Sequence, residues 1–146
     1  MDDVYYMQLA LEQARAAAAA DEAPIGAVIV CDDRVLASAR NEREALRDPT
    51  AHAEMIAITQ AAAALGDWRL GGTILYVTKE PCPMCGGAIV LARIPRVVFG
   101  ASDPQTPFVA AGVEVTPGVL GGECAEILRE FFRRLREADR RAGVAP

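Results

Sequence analysis

Thr50-Ala51-His52-Ala53-Glu54 and, further along, Pro81-Cys82-Pro83-Met84-Cys85 are the two stretches whose joint reading decides the fold. His52 is the only histidine in the chain. Cys82 and Cys85 are spaced i, i+3, which puts both thiols on one face of a helix. Pro81 and Pro83 fit the start of that helix, where a missing N–H costs little. The positive end of a helix favours thiolate over thiol, so both cysteines are expected to be deprotonated near neutral pH. Thr50 follows Asp48-Pro49 and reads as an N-cap, which places His52 in the first turn of a helix over 51–65. One imidazole and two thiolates make three ligands for a tetrahedral Zn²⁺, and a site with three protein ligands keeps its fourth place for water. Two thiolates balance the charge of the ion, which can then acidify that water. Glu54 lies about 200° round an ideal helix from His52. It is poorly placed to join the same ion but able to lean over the open position and carry the proton.

Two other readings of these cysteines stand beside the catalytic one. A closed site needs a fourth ligand, and Cys31 or Cys124 would have to supply it. Cys31 ends the apolar run Val28-Ile29-Val30 and Cys124 falls in the last helical stretch, both settings of small core residues. A redox Cys-x-x-Cys leaves His52 and Glu54 without a purpose.

At 146 residues the chain reads as one domain, 1–146, with enough length for a sizeable core. Its apolar content is 52%, but no apolar run is long enough to span a bilayer, so no membrane partner is expected. Met1-Asp2-Asp3 lacks the basic start of a secretory signal. Four cysteines, two of them committed to metal, suit a reducing cytoplasm better than a disulfide scaffold. The net charge of −5 argues against a broadly basic nucleic-acid surface, though not against a local basic patch.

Val4, Met7, Leu11, Ala14 and Ala18 recur at helical spacing, which predicts a first helix over 3–20. Residues 25–30 read as a buried strand, and Asp32-Asp33-Arg34 turns it into a second strand over 35–40. The helix over 51–65 follows, then a third strand over 73–77, a helix from about Pro83 to Ala92, a fourth strand over 96–100, a short fifth over 112–116 and a closing helix over 123–141. The order αββαβαββα predicts a three-layer α/β/α domain with a five-stranded mixed sheet. Both halves of the site then stand at helix starts on one side of the sheet.

Further stretches go beyond a generic zinc site. Residues 23–28, Asn41, the run 48–54, the run 75–85 and Arg96-Val97-Val98-Phe99-Gly100-Ala101 resemble the cytidine/deoxycytidylate deaminase superfamily, most of all the bacterial tRNA-specific adenosine deaminases. The His-x-Glu and Pro-Cys-x-x-Cys pair is the signature of zinc deaminases acting on bases. The resemblance implies a cytidine-deaminase-like fold, one Zn²⁺ per chain on His52, Cys82 and Cys85, and hydrolysis of an exocyclic amine on a base with Glu54 moving the protons. It further implies that Asn41 bonds the base or sugar, that the backbone of Ala53 reads the base edge, that Pro24, Ile25, Gly26, Ala27 and Asp103 line the pocket, and that the subunits form a homodimer. Asn41 also reads as a strand-end turn residue, Asp103 as a turn or helix cap, and Glu80 as a structural neighbour of Pro81.

Two features depart from the tRNA enzymes. Pro107-Phe108-Val109-Ala110-Ala111-Gly112 runs almost straight into the fifth strand, a short connection with the look of fungal-type cytosine deaminases. Lys79 stands where the tRNA enzymes often carry an apolar residue, and it also reads as a solvated strand end. The closing helix carries Arg129, Arg133, Arg134, Arg136, Arg140 and Arg141, of which Arg133 and Arg134 are candidates for binding RNA; interleaved Glu126, Glu130, Glu137 and Asp139 make a solvated face the other reading. Phe131 and Phe132 are adjacent, so one is expected to pack inward and the other to reach the pocket or a subunit contact. Three functions follow: deamination of adenosine in a tRNA anticodon loop, deamination of a free nucleobase or nucleoside of cytosine or guanine type, or a non-catalytic zinc-stabilised partner subunit. An intact Glu54 speaks against the third.

Overall fold

Gly26–Cys31 (β1) carries apolar residues at successive positions because both of its faces are covered. Ala27 and Ile29 point into one core, with Ala53, Ala57, Ala61 and Ile89. Val28 and Val30 point into the other, with Met7, Leu11 and Cys124. The computed structural model describes residues 1–143, so the last three positions of the domain expected over 1–146 lie outside the described residues.

The elements around this strand are α1 (Asp3–Ala19), β2 (Arg34–Arg40), α2 (Arg43–Leu46), α3 (Ala53–Leu65), β3 (Thr73–Lys79), α4 (Pro83–Leu91), β4 (Arg96–Ala101), β5 (Glu114–Thr116) and α5 (Gly121–Arg141). The sheet order is β2-β1-β3-β4-β5. β1 runs antiparallel to β2 and β3, whereas β3, β4 and β5 are parallel, so the sheet is mixed as expected. Helices α3 and α4 cover one face, and α1 and α5 cover the other. Among the described residues no helix is long and apolar enough to cross a membrane.

Several boundaries differ from the sequence reading, each for a local reason. α3 starts at Ala53, with His52 rather than Thr50 at the N-cap. Thr50 is occupied elsewhere: its N–H and hydroxyl both donate to the Asp48 carboxylate, at 2.8 and 2.7 Å. The short helix α2 was not predicted. Its free N–H groups at Glu44 and Ala45 donate to the two carboxylate oxygens of buried Glu22, at 2.9 and 2.8 Å, a contact across more than twenty residues that no local pattern announces. α5 begins two residues early, at Gly121, and β5 keeps only 114–116.

Gly100 lets α5 approach β4. A Cβ there would meet the Cys124 sulfur and lie 2.8 Å from the Thr78 carbonyl oxygen. Gly122, the second residue of α5, has open space where its Cβ would stand. The same chemical change should therefore have opposite signs at the two positions. Gly100→Ala should destabilise by about 1–3 kcal/mol through overpacking, whereas Gly122→Ala should stabilise by up to about 1 kcal/mol through helix propensity. Thermal melts of the two variants beside wild type check this; equal shifts would show that the α5–β4 approach is not tight.

Candidate metal centre and active site

α4 follows the C-terminal end of β3 directly, and α3 starts beside the same edge of the sheet. The N-cap of α4 is Cys82 and that of α3 is His52, so the two helix starts bring the donors together. His52 Nδ1 lies 3.6 Å from Cys82 Sγ and 3.5 Å from Cys85 Sγ. All three donor atoms fall within 4.8 Å of one another. A tetrahedral zinc with ordinary Zn–S and Zn–N bonds needs an S···N separation of about 3.6 Å, so the donor set fits that ion. Cys31 and Cys124 do not converge on it: Cys124 lies in the core on the opposite face of the sheet, and Cys31 ends β1 with its thiol 3.9 Å from Asp32. All four cysteines are free thiols.

The electrostatics differ in part from the sequence reading. Burial, then the charges of Arg43 and Lys79, lower the His52 pKa, which favours the neutral imidazole a metal ligand requires. Burial raises the Cys85 thiol, and the neighbouring Glu54 carboxylate pushes it further the same way. The helix N-terminus was expected to deprotonate this thiol; at Cys85 desolvation and a nearby anion outweigh the dipole, so a bound cation has to displace the proton. Glu54 is buried (4% exposed), and burial raises its carboxyl, opposed by hydrogen bonds from its own N–H and from the Cys85 thiol. A buried carboxyl with a raised pKa can hold a proton and release it, as a general acid–base must.

A cleft of about 290 Å³ opens beside His52. Asn41, buried at 4% exposure, lines it together with Ile25. Pro24 and Ala27, also expected to line the pocket, are buried and do not reach the cleft. Gly26 is glycine for another reason: a Cβ there would strike the α1 backbone at Ala10 and Ala14. The His52 side chain does not cap the N–H groups at the start of α3, and Ala53, expected to read the base edge, is buried and does not line the cleft. Asp103 stands outside the cleft and accepts from Thr106, Lys79 and the Gln105 N–H, which hold its carboxyl below the usual range.

Lys79 does line the cleft, so the solvated-strand-end reading misplaced it. Glu80 is structural: its carboxylate accepts from the N–H groups of Asp103 and Phe108 and so pins the short connection after β4. Sequence reasoning missed Arg43 and the α5 wall of Leu128, Phe131, Phe132 and Leu135. The Phe131-Phe132 doublet was the one available signal; Phe131 is buried and Phe132 half exposed, and both face this cleft. Arg133 and Arg134 lie elsewhere. Arg133 pairs with Glu130 at 2.7 Å and Glu137 at 2.8 Å, and Arg134 stands 4.0 Å from Glu130.

The chain has counterparts among known proteins. A family model for MafB19-like deaminases matches residues 1–136. The tRNA-specific adenosine deaminase of Bacillus subtilis (strain 168) is 45% identical, over 96% of this chain and 94% of its own length. That of Agrobacterium fabrum (strain C58 / ATCC 33970) is 48% identical, over 92% and 97%. Among solved structures, one from a study of A-to-I editing by tRNA:A34 deaminases superposes with a TM-score of 0.80 at 45% identity, covering 85% of this chain and 99% of that one. A guanine deaminase from Nitrosomonas europaea superposes at 0.78 with 26% identity, covering 88% and 83%. The chain belongs to the deaminase family that these MafB19-like and tRNA-specific adenosine deaminases represent.

Proposed function

We propose that this chain hydrolyses the exocyclic amine of adenosine at the wobble position of tRNA, giving inosine and ammonia. The observation that carries the reading is the convergence of His52, Cys82 and Cys85 beside buried Glu54, in a chain nearly half identical to tRNA-specific adenosine deaminases along almost its whole length. His52, Cys82 and Cys85 would hold one zinc ion, which would supply a Lewis acid able to make a water acidic near neutral pH. Glu54 would take a proton from the attacking water and deliver it to the ring nitrogen as the oxygen adds to the neighbouring carbon, then take the hydroxyl proton of the adduct and pass it to the amine, which leaves as ammonia. Asn41 bonds the base and fixes its edge toward Glu54. The α5 wall excludes water from the cleft. The short connection over 104–112 and the net charge of −5 favour a free base as the second reading, and the guanine deaminase likeness agrees with it.

A homodimer fits the surface. Leu91 is 70% exposed and Val109 87% exposed, and they flank an apolar groove of about 570 Å³ that runs to Pro81 and Cys82. A second copy seated there would cover this apolar surface and wall the site.

Glu54→Gln should keep its zinc and its melting temperature while kcat for an anticodon stem-loop falls at least about 10²-fold. Ammonia release from tRNA, adenosine, cytosine and guanine by zinc-loaded protein separates the substrate readings: release from guanine alone would replace the tRNA reading.

Metal analysis should give one zinc per chain. Because the Cys85 thiol is held protonated in the metal-free fold, zinc binding has to expel a proton. Apparent zinc affinity should therefore rise with pH, by roughly tenfold per unit for each proton expelled; chelator competition across a pH series measures it, and a flat profile would contradict the protonated thiol.

Sedimentation at micromolar concentration should give a dimer mass that Leu91→Glu with Val109→Glu reduces to a monomer. A wild-type monomer would reject the dimer.

A further inference from the structure

The cations of the cleft point to how the site tells RNA from a free base. Arg43 and Lys79 are the two basic side chains that line it. Arg43 stands in α2, exposed, and among the described residues its guanidinium makes no ion pair and donates no hydrogen bond. That leaves a planar fork of donors of the shape a phosphate accepts in pairs. Lys79, at the end of β3, is held 3.2 Å from the Asp103 carboxylate and remains about one-third exposed. Three acids share the lining, Asp21, Glu22 and Glu44. Glu22 accepts from the N–H groups of Glu44 and Ala45, one on each carboxylate oxygen. Leu128, Phe131, Phe132 and Leu135 of α5 give the cleft its apolar lining. The cleft thus combines cations near His52 with apolar side chains of α5, as a nucleotide needs for its phosphate and its base.

Two of the α5 arginines are already paired within their own helix. Arg133 is neutralised within its own helix by Glu130 and Glu137, and Arg129 by Glu126 at 2.6 Å. They border a separate groove along α5. In a chain of net charge −5, a polynucleotide has to be held by cations at the site itself.

We propose that Arg43 and Lys79 grip the phosphodiester beside the target base, so that the cleft selects a polynucleotide over a free base or nucleoside. The proposal rests on the tRNA deaminase reading and deepens it. Lys79 would exchange part of its pairing with Asp103 for the phosphate, and Arg43 would supply the paired donors.

The test measures binding of a fluorescein-labelled anticodon stem-loop to full-length zinc-loaded protein by anisotropy, over a salt series, with deamination kinetics in parallel. Arg43→Gln and Lys79→Met should each weaken binding roughly tenfold and flatten the slope of log Kd against log salt by about 0.7, one single-strand phosphate contact. KM should rise while kcat stays within about twofold. Arg43→Lys should recover the slope, which separates lost charge from a misfolded α2, and Arg133→Gln should keep it. Wild-type slopes in both Arg43→Gln and Lys79→Met would overturn the proposal. So would a flattened slope in Arg133→Gln alone, which would return RNA binding to α5. Wild-type protein that neither binds nor deaminates the stem-loop would instead bring down the tRNA reading itself.

Discussion

His52 and Cys82 each occupy the N-cap of a helix, and the two helices pack on the same face of the sheet with their starts at the same edge. The rest of the molecule serves that juxtaposition. An N-cap residue lies outside the helical backbone pattern, so its side chain projects from the helix end rather than along its flank. Two such ends brought edge to edge put imidazole and thiolate donors within 3.6 Å of one another, although about thirty residues separate them in the chain. Cys85 joins from the first turn of α4, and Glu54 from the first turn of α3. The close contacts that hold these helices to the sheet, such as the small residues Ala53, Ala57 and Ala61 along α3, tolerate no bulk.

Burial around this centre sets its chemistry. The same desolvation that favours a neutral His52 also raises the Cys85 thiol and the Glu54 carboxyl. Two of those effects suit the proposed reaction directly: a neutral imidazole ligates, and a protonatable carboxyl can carry a proton. The third opposes metal binding until a cation arrives to offset it. Folding and metal binding therefore pull in different directions at Cys85, which is a common tension in metal sites built before the metal enters.

Charge is distributed unevenly outside the centre. The closing helix, rich in arginine and glutamate, pairs Arg129 and Arg133 with glutamates three and four residues away and offers apolar side chains to the cleft. The two basic side chains that line the cleft, Arg43 and Lys79, stand on α2 and β3, far apart in sequence. Glu22 and Glu80 act in the same structural manner on either side of the site: each buried carboxylate accepts two backbone N–H groups, one pair opening α2 and the other pinning the connection after β4.

The convergence of His52, Cys82 and Cys85, the mixed sheet and the order of its principal elements were legible in the sequence. Zinc ligation and strand burial impose residue types and spacings that do not depend on distant context. His-x-Glu, Pro-Cys-x-x-Cys and the unbroken apolar run of β1 are local statements of that kind. What only the tertiary structure decided were the features made by long-range contact: His52 rather than Thr50 at the N-cap, the helix α2 that Glu22 caps, the close approach that requires glycine at Gly26, and the protonation of Cys85. The same holds for the cations of the cleft. A run of arginines is visible in the sequence, but whether each is free or paired depends on which carboxylates the fold sets beside it, and pairing at a few ångströms is a property of three-dimensional position alone.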